Sequence, residues 1–492
     1  MNRNKVITAL IYKFLERLGT QGIAFMVSLI LARLLSPSDY GLISLMTIFI
    51  TITAVFVQSG LGTALVQKKE VDEKDYSSVF FLSLLIASLM YLLLFFVAPL
   101  ISEFYRMSQV TQLFRVNALI LLPNAFNSIQ NAKLVKEMKF KKIMFCNLGA
   151  VIISGTVGIF MAFRNYGAWA LVGQQIAHSL SICVIMLIVV KWKPKLFFSF
   201  TKVKALYSFG WKLLVSSLID TLYRDLQSLI IGRKFNAATL GLYNRGKHFP
   251  QLIMSNIDSS INSVMLPVYS QEQDNGVRLK AMVRRSILSS SFLVFPAMAG
   301  LAAVAKPLVL LLLTEKWLPA VPFLQLSCIL YAFWPIHTAN LQAIKAMGRS
   351  DIFLKVIVIQ KLIGIVILIV SVVCFKDVMA ILLGSVLAIP LELLINAWPN
   401  SKLLDYHISE QMKDIFPSFF IAILMGLLVW LVSLFDFGLV LTMIIQISLG
   451  IFSYLFAATI FKIEAFNYIK KTISEIIHAK EPLINDLSKY PD

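Results

Sequence analysis

The residues of this chain that could do chemistry are ionisable groups set inside stretches that are otherwise apolar. Glu16 and Arg17 lie in the first such stretch, Asp220, Arg224 and Asp225 in the seventh, Asp258 in the eighth, Lys355 and Lys361 in the eleventh and Glu392 in the twelfth. A charge in an apolar medium is costly, so it faces a cavity, a partner or a helix end. Asp220 and Arg224 stand at i and i+4 and are expected to pair along one helix face, leaving Asp225 for a second partner. Lys355, about one turn inside a boundary, can extend its amine to the interface. Lys361, six positions and roughly 9 Å deeper, cannot, and is expected to line a cavity. Glu16 and Arg17 form either an inter-helix pair or a charged cavity floor. Glu392, two positions after Pro390, is either a proton or sodium site or an ion-paired structural group.

Uncharged polar groups gather in the same stretches: Gln58 and Ser59 beside Gly60 and Gly62, Asn117, Asn124 and Asn127 around Pro123, Gln174 and Gln175 with His178, and Trp334, Pro335 and His337 with Asn340. Amides and aromatic faces suit sugars, and they equally suit hydrogen bonding between helices. Arg33 and Arg233 stand at outer helix ends, where capping or headgroup anchoring accounts for them. No HExxH, phosphate-cradling GxxxxGK[ST] or metal-spaced His/Cys cluster occurs. Asp436-Phe437-Gly438 lacks the glycine-rich and catalytic loops of a kinase and reads as a turn. A membrane glycosyltransferase or ligase would need catalytic acids on an outer loop, and only the connections 101–111 and 314–319 offer one, Glu103 and Glu315.

The elements that must position these groups are membrane helices. The chain is 58% hydrophobic and 14% charged with a mean hydropathy of +0.79, against about 25% charged in a soluble domain. Apolar stretches of bilayer-spanning length fall at 10–35, 40–66, 77–100, 112–132, 143–163 and 167–190, then at 205–232, 240–267, 283–313, 320–345, 351–375 and 377–400, with a final pair at 415–435 and 438–461. The expected fold is an all-α integral membrane protein of about 14 transmembrane helices. Its domains are an N-lobe at 1–190, a cytoplasmic interfacial linker at 191–204, a C-lobe at 205–400, the last two spans within 401–461 and a cytoplasmic amphipathic tail at 462–492. In that tail Phe466, Ile469, Ile473, Ile476 and Ile477 recur at helical spacing, with Lys470 and Lys471 elsewhere on the turn, as in a helix lying on a membrane surface.

The formal charge of +19 resides in the connections, so it reports topology and contact with anionic lipid, and no nucleic-acid partner is expected. Lys68, Lys69 and Lys74, Lys133 to Lys142, Lys191 to Lys204, Arg278 to Arg285, and Lys345 with Arg349 all follow even-numbered spans. The opposite loops hold only Arg106, Arg164, Arg233 with Lys234, Lys316 and Lys376, which places both termini in the cytoplasm. Arg3 and Lys5 precede an apolar run as in a signal peptide, but Lys13, Glu16 and Arg17 interrupt it, so no cleavage is expected. Cys146, Cys183, Cys328 and Cys374 lie within apolar stretches and read as packing residues.

The chain also repeats itself. Ala32-Arg33, Ser36, Gly41 and Leu42 align with Gly232-Arg233, Asn236, Gly241 and Leu242 at an offset of 233 − 33 = 200, where the first and second spans of each group join. Pro123, Gln130 and Lys133 align with Pro335, Gln342 and Lys345 at 335 − 123 = 212. Because each copy has an even number of spans, the two six-helix lobes enter the membrane in the same sense, a parallel repeat that in transporters commonly encloses a central path.

The segment Ala32-Arg33-Leu34-Leu35-Ser36-Pro37-Ser38-Asp39-Tyr40-Gly41-Leu42 resembles the signature of the polysaccharide-transport (Wzx-type) flippases of the MOP superfamily. Phe209-Gly210, Ile231-Gly232-Arg233, Leu240 to Arg245 and Leu266 to Ser270 resemble the second half of the same family, and the likeness covers most of residues 1–400. The resemblance implies a V-shaped pair of six-helix lobes, two further C-terminal helices, and alternating access for an undecaprenyl-diphosphate-linked oligosaccharide in a bacterial inner membrane, coupled to proton or sodium antiport and requiring no cofactor. On that reading Arg17, Arg224 and Lys361 hold the diphosphate, with Asn124 and Asn127 among the amides that meet the sugars. Glu16, Asp220, Asp225, Asp258 and Glu392 are the ion-coupling candidates. Membrane lipids, a polysaccharide polymerase and glycosyltransferases are the implied partners. A multidrug exporter of the same superfamily typically has twelve spans and lacks the signature. A peptidoglycan-precursor flippase shares the fourteen-span plan but matches the quoted segments less well.

Overall fold

The structure is a computed structural model that describes residues 3–58, 61–68, 71–375, 377–435 and 437–478. Ser59, Gly60, Lys69, Lys376, Asp436 and the stretch 482–492 therefore lie outside the described residues. Every regular element among the described residues is helical. Eleven segments are long and apolar enough to cross a bilayer, at 12–34, 37–67, 73–105, 140–163, 168–190, 276–303, 315–346, 350–374, 379–403, 408–434 and 439–460. The chain is an all-α, multi-pass membrane protein. The other three expected spans coincide with long helical stretches at 109–136, 200–234 and 237–271, of which the second carries Asp220, Arg224 and Asp225.

The chain forms two compact units, residues 1–244 and 245–492. The first contains α1 (Arg3–Leu34), α2 (Pro37–Gln58), α3 (Leu61–Gln67), α4 (Glu73–Tyr105), α5 (Gln109–Asn117), α6 (Leu121–Lys136), α7 (Phe140–Phe163), α8 (Ala168–Val190), α9 (Phe200–Lys234) and the start of α10 (Ala237–Gln271). The α1–α2 and α9–α10 junctions repeat residue for residue, because Leu34 and Pro37 shifted by 200 are Lys234 and Ala237. Ser36 and Asp39 cap α2 reciprocally, with the Ser36 amide donating to Asp39 Oδ2 at 2.9 Å and the Asp39 amide to Ser36 Oγ at 3.2 Å. At the equivalent place on α10, Asn236 Oδ1 accepts from the Thr239 amide at 2.8 Å. The core includes Leu61, Leu65, Tyr76, Val79, Phe80, Ile129 and Trp192, with Phe80 edge-on to Trp192 at 5.9 Å.

The second unit adds α11 (Gly276–Ala303), α12 (Ala305–Leu312), α13 (Val321–Ala332), α14 (Trp334–Ala346), α15 (Ser350–Cys374), α16 (Met379–Leu403), α17 (Ile408–Leu431), α18 (Leu439–Ile460) and α19 (Glu464–His478). Helix α11 packs against α13, α14, α17, α18 and α19 and is the axis of the unit. The fourth span of each repeat is broken at the same place: a 3-10 turn at Ala118–Ile120 separates α5 from α6, and Phe333 separates α13 from α14. Pro123 and Pro335 stand just after the two breaks, and neither can donate to the carbonyl four residues earlier, at 119 and 331.

Candidate functional site

In the first unit several intramembrane polar groups are turned toward neighbouring helices. Glu16 on α1 accepts from Asn147 Nδ2 on α7 at 2.8 Å and pairs with Lys13 at 3.4 Å, and Arg17 beside it is half-buried. Asn124 and Asn127, one turn apart on α6, converge on Ser179 of α8. The Ser179 hydroxyl donates to Asn124 Oδ1 at 3.0 Å, and Asn127 Nδ2 donates to the Ser179 carbonyl at 3.1 Å. One turn before Ser179, Gln175 Oε1 accepts from Asn117 Nδ2 at 3.3 Å. Polar groups of α5 and α6 therefore meet a polar stripe of helical period on α8. The pairing expected between Asp220 and Arg224 is corrected by the structure: Arg224 Nε lies 3.9 Å from Asp225 Oδ1, and the Arg224 side chain is 57% exposed. Asp220 has an interaction of its own.

The remaining candidates belong to the second unit. Asp258 on α10 accepts from Thr338 Oγ1 on α14 at 2.6 Å, and Lys345, one repeat offset from Lys133, lies within electrostatic reach of it. Lys355 is exposed and Lys361 half-buried. Glu392 on α16 is half-buried, and among the described residues its carboxylate makes no hydrogen bond or ion pair. One turn on, Asn396 donates to the Glu392 carbonyl at 3.0 Å and meets His337 Nδ1 of α14, while its own Oδ1 is buried without a partner. The candidates thus fall into local groups, Glu16–Asn147, Asn124–Asn127–Ser179, Asp258–Thr338 and Glu392–Asn396–His337, distributed over both units.

The family model described as "Polysaccharide biosynthesis protein" matches residues 30–322. The chain belongs to that family. Relatives include the succinoglycan biosynthesis transport protein ExoT of Rhizobium meliloti, 25% identical over 69% of each chain. The teichuronic acid biosynthesis protein TuaB of Bacillus subtilis is 24% identical over 82% of this chain and 84% of its own length. The lipopolysaccharide biosynthesis protein WzxC of Escherichia coli is 22% identical over 72% of each. Among solved structures, the lipid II flippase MurJ superposes with a TM-score of 0.72 at 16% identity, covering 92% of this chain and 98% of that one. An inward-facing multidrug MATE transporter gives 0.60 at 15% identity over 80% and 98%. At such identities these structures establish the fold.

In this member of the polysaccharide biosynthesis protein family, charged side chains also build two clusters that the sequence did not single out. In the first unit Glu73, at the start of α4, accepts from Lys133 Nζ at 2.8 Å and from Trp192 Nε1 at 2.5 Å, with Lys133 over the Tyr76 ring at 5.5 Å. The amides of Lys195 and Ser199 donate to the hydroxyls of Ser77 and Ser78 at 3.0 and 3.1 Å, which fastens the linker to α4. In the second unit Arg284 on α11 is shared between two carboxylates. Its Nε and Nη2 reach Asp414 of α17 at 2.8 to 3.0 Å, and Nη1 and Nη2 reach Glu464 of α19 at 2.9 and 2.7 Å. Two bidentate pairs on one guanidinium use the fork geometry that only arginine offers. Tyr406 donates to Asp414 at 2.7 Å, and burial together with that carboxylate pushes the phenol well above its ordinary value, so it remains a donor. The residue types were legible, but sequence spacing does not reveal that positions 130 and 180 residues apart meet at Arg284.

Proposed function

We propose that this protein flips undecaprenyl-diphosphate-linked oligosaccharide repeat units across a bacterial inner membrane by alternating access, as a transporter and not an enzyme. The family match across residues 30–322 carries this reading. Its relatives are named for the biosynthesis or transport of three different surface polysaccharides, whose shared need is to move a lipid-linked precursor across a bilayer. The fourteen-span count, the lobes at 1–190 and 205–400, and both termini in the cytoplasm belong to the same proposal. A glycosyltransferase would supply its substrate and a polymerase would consume its product. Arg17, Arg224 and Lys361 are the proposed diphosphate contacts, of which Arg224 is the most exposed. Glu392 is the preferred proton or sodium site, because a carboxylate without a side-chain partner inside a span is free to exchange one.

The test is flipping of a native undecaprenyl-diphosphate oligosaccharide in proteoliposomes. Wild type should flip it, Arg224→Ala and Lys361→Ala should each slow it about tenfold, the loss of roughly one charge-assisted contact, and Glu392→Gln should abolish its response to an imposed ion gradient. Wild type that exports free small cations but flips no lipid-linked glycan would overturn the reading in favour of a multidrug exporter.

A further inference from the structure

The two repeat-equivalent glycines, Gly41 and Gly241, meet each other. A Cβ on Gly41 would overlap the Ala237 carbonyl oxygen, and a Cβ on Gly241 would overlap the Pro37 carbonyl oxygen while standing 3.0 Å from the Gly41 nitrogen. The contact is reciprocal under the 200-residue offset, since Ala237 is to α10 what Pro37 is to α2. In each helix the carbonyl of the first residue and the glycine one turn later face the same two atoms of the other. Helices approach this closely only where neither carries a Cβ, with Cα–H groups set against carbonyl oxygens. Leu42, Leu45, Ala237 and Leu240 are buried around the crossing, and a cavity of about 440 Å³ lined by Ser38, Arg106, Asn236 and Ala238 opens beside it.

We propose that the α2–α10 crossing is the reversible outer seal of the translocation path and that Gly41 and Gly241 are the positioning residues that set how tightly it shuts. The proposal rests on the transport reading and on the topology that puts Arg33 and Arg233 outside. The contact joins the two repeat copies at matching points, so a movement of one copy against the other must break it symmetrically. Its closest points are main chain against main chain, with Leu45 seated against Gly232 beside them, so it re-forms in a single register. A methyl group at either position cannot be relieved by a side-chain rotation, because the atoms it meets are main chain.

The experiment introduces Leu45→Cys, one turn beneath Gly41 and fully buried, with Cys183 and Cys374 replaced by alanine and the buried native Cys146 as reference. A membrane-impermeant maleimide added outside should label residue 45 about fivefold faster or more when Gly41→Ala or Gly241→Ala is present, a population shift toward the open seal, while Cys146 stays unlabelled. Equal labelling of residue 45 with and without the alanines overturns the proposal, and so does parallel labelling of Cys146, which reports unfolding. If the alanine variants fail to insert, Ser38→Cys with Ala238→Cys bridged by a reducible bis-thiosulfonate decides. Bridging should stop flipping until reductant is added, and unchanged flipping overturns the seal. Failure of the unbridged protein to flip would defeat the transport reading alone, since the labelling result stands without substrate.

Discussion

Asn340, Asn400 and Gln411 show what a buried amide costs and what it secures. All three are fully buried. Asn400 Nδ2 donates to Asn340 Oδ1 at 2.7 Å, Asn340 Nδ2 donates to Gln411 Oε1 at 3.0 Å, and Gln411 Nε2 reaches the Tyr406 carbonyl at 3.2 Å. The trio ties α14, α16 and α17 together without a charge. Asn340→Leu leaves the buried Gln411 Oε1 without its donor and the Asn400 Nδ2 with only the main-chain carbonyl of residue 340, at about 1 to 3 kcal/mol for a buried group left unmatched. The variant should unfold in detergent at a clearly lower temperature, and adding Gln411→Leu should recover part of the loss, because removing both partners is cheaper than removing one. Unchanged melting of the single variant would show that the network is not holding the helices. Asn340 was visible in the sequence as a polar group in a span, as were Glu16, Asn124 and Asn127. Their partners were not: Ser179, Asn147, Asn400 and Gln411 are ordinary residues until a particular helix face lies against them.

Helix ends were more legible than helix interiors. Ser36 and Asn236 marked the α1–α2 and α9–α10 junctions, because a capping side chain acts within its own turn. The breaks inside the fourth and tenth spans were not expected, although Pro123 and Pro335 stood in view, since Pro99, Pro296, Pro390, Pro399 and Pro417 all lie within unbroken helices. A proline removes one hydrogen bond, and the packing around it determines whether the helix stops. The sequence pattern predicts a tail lying on the membrane surface, whereas the described part of α19 is fixed to its own unit, with Phe466 against Phe292 at 5.9 Å and Glu464 on Arg284. Arg284→Ala should release α19, seen as faster backbone hydrogen exchange across 464–478 with no change in 140–163. Arg284→Lys should restore only part of the protection, since an ammonium cannot satisfy two carboxylates in fork geometry. Exchange in 464–478 that does not move in either variant would make Phe466 and its apolar neighbours the whole attachment.

At the scale of the whole molecule, the basic connections and the helix pattern must agree on one topology. Lys139 follows α6 and Arg164 follows α7, so one crossing by α7 separates them, and the proposed topology has the first in the cytoplasm. Both side chains are exposed, which makes them fair probes. With the accessible native cysteines replaced, an impermeant thiol reagent should label Arg164→Cys in intact cells and Lys139→Cys only after permeabilisation. Reversed labelling would invert the protein, move Gly41 and Gly241 to the cytoplasmic end and turn the proposed outer seal into an inner one. Labelling of both from outside would mean that α7 does not cross, and the parallel relation of the two repeats would then fail, because an odd number of crossings in one copy would enter the second in the opposite sense.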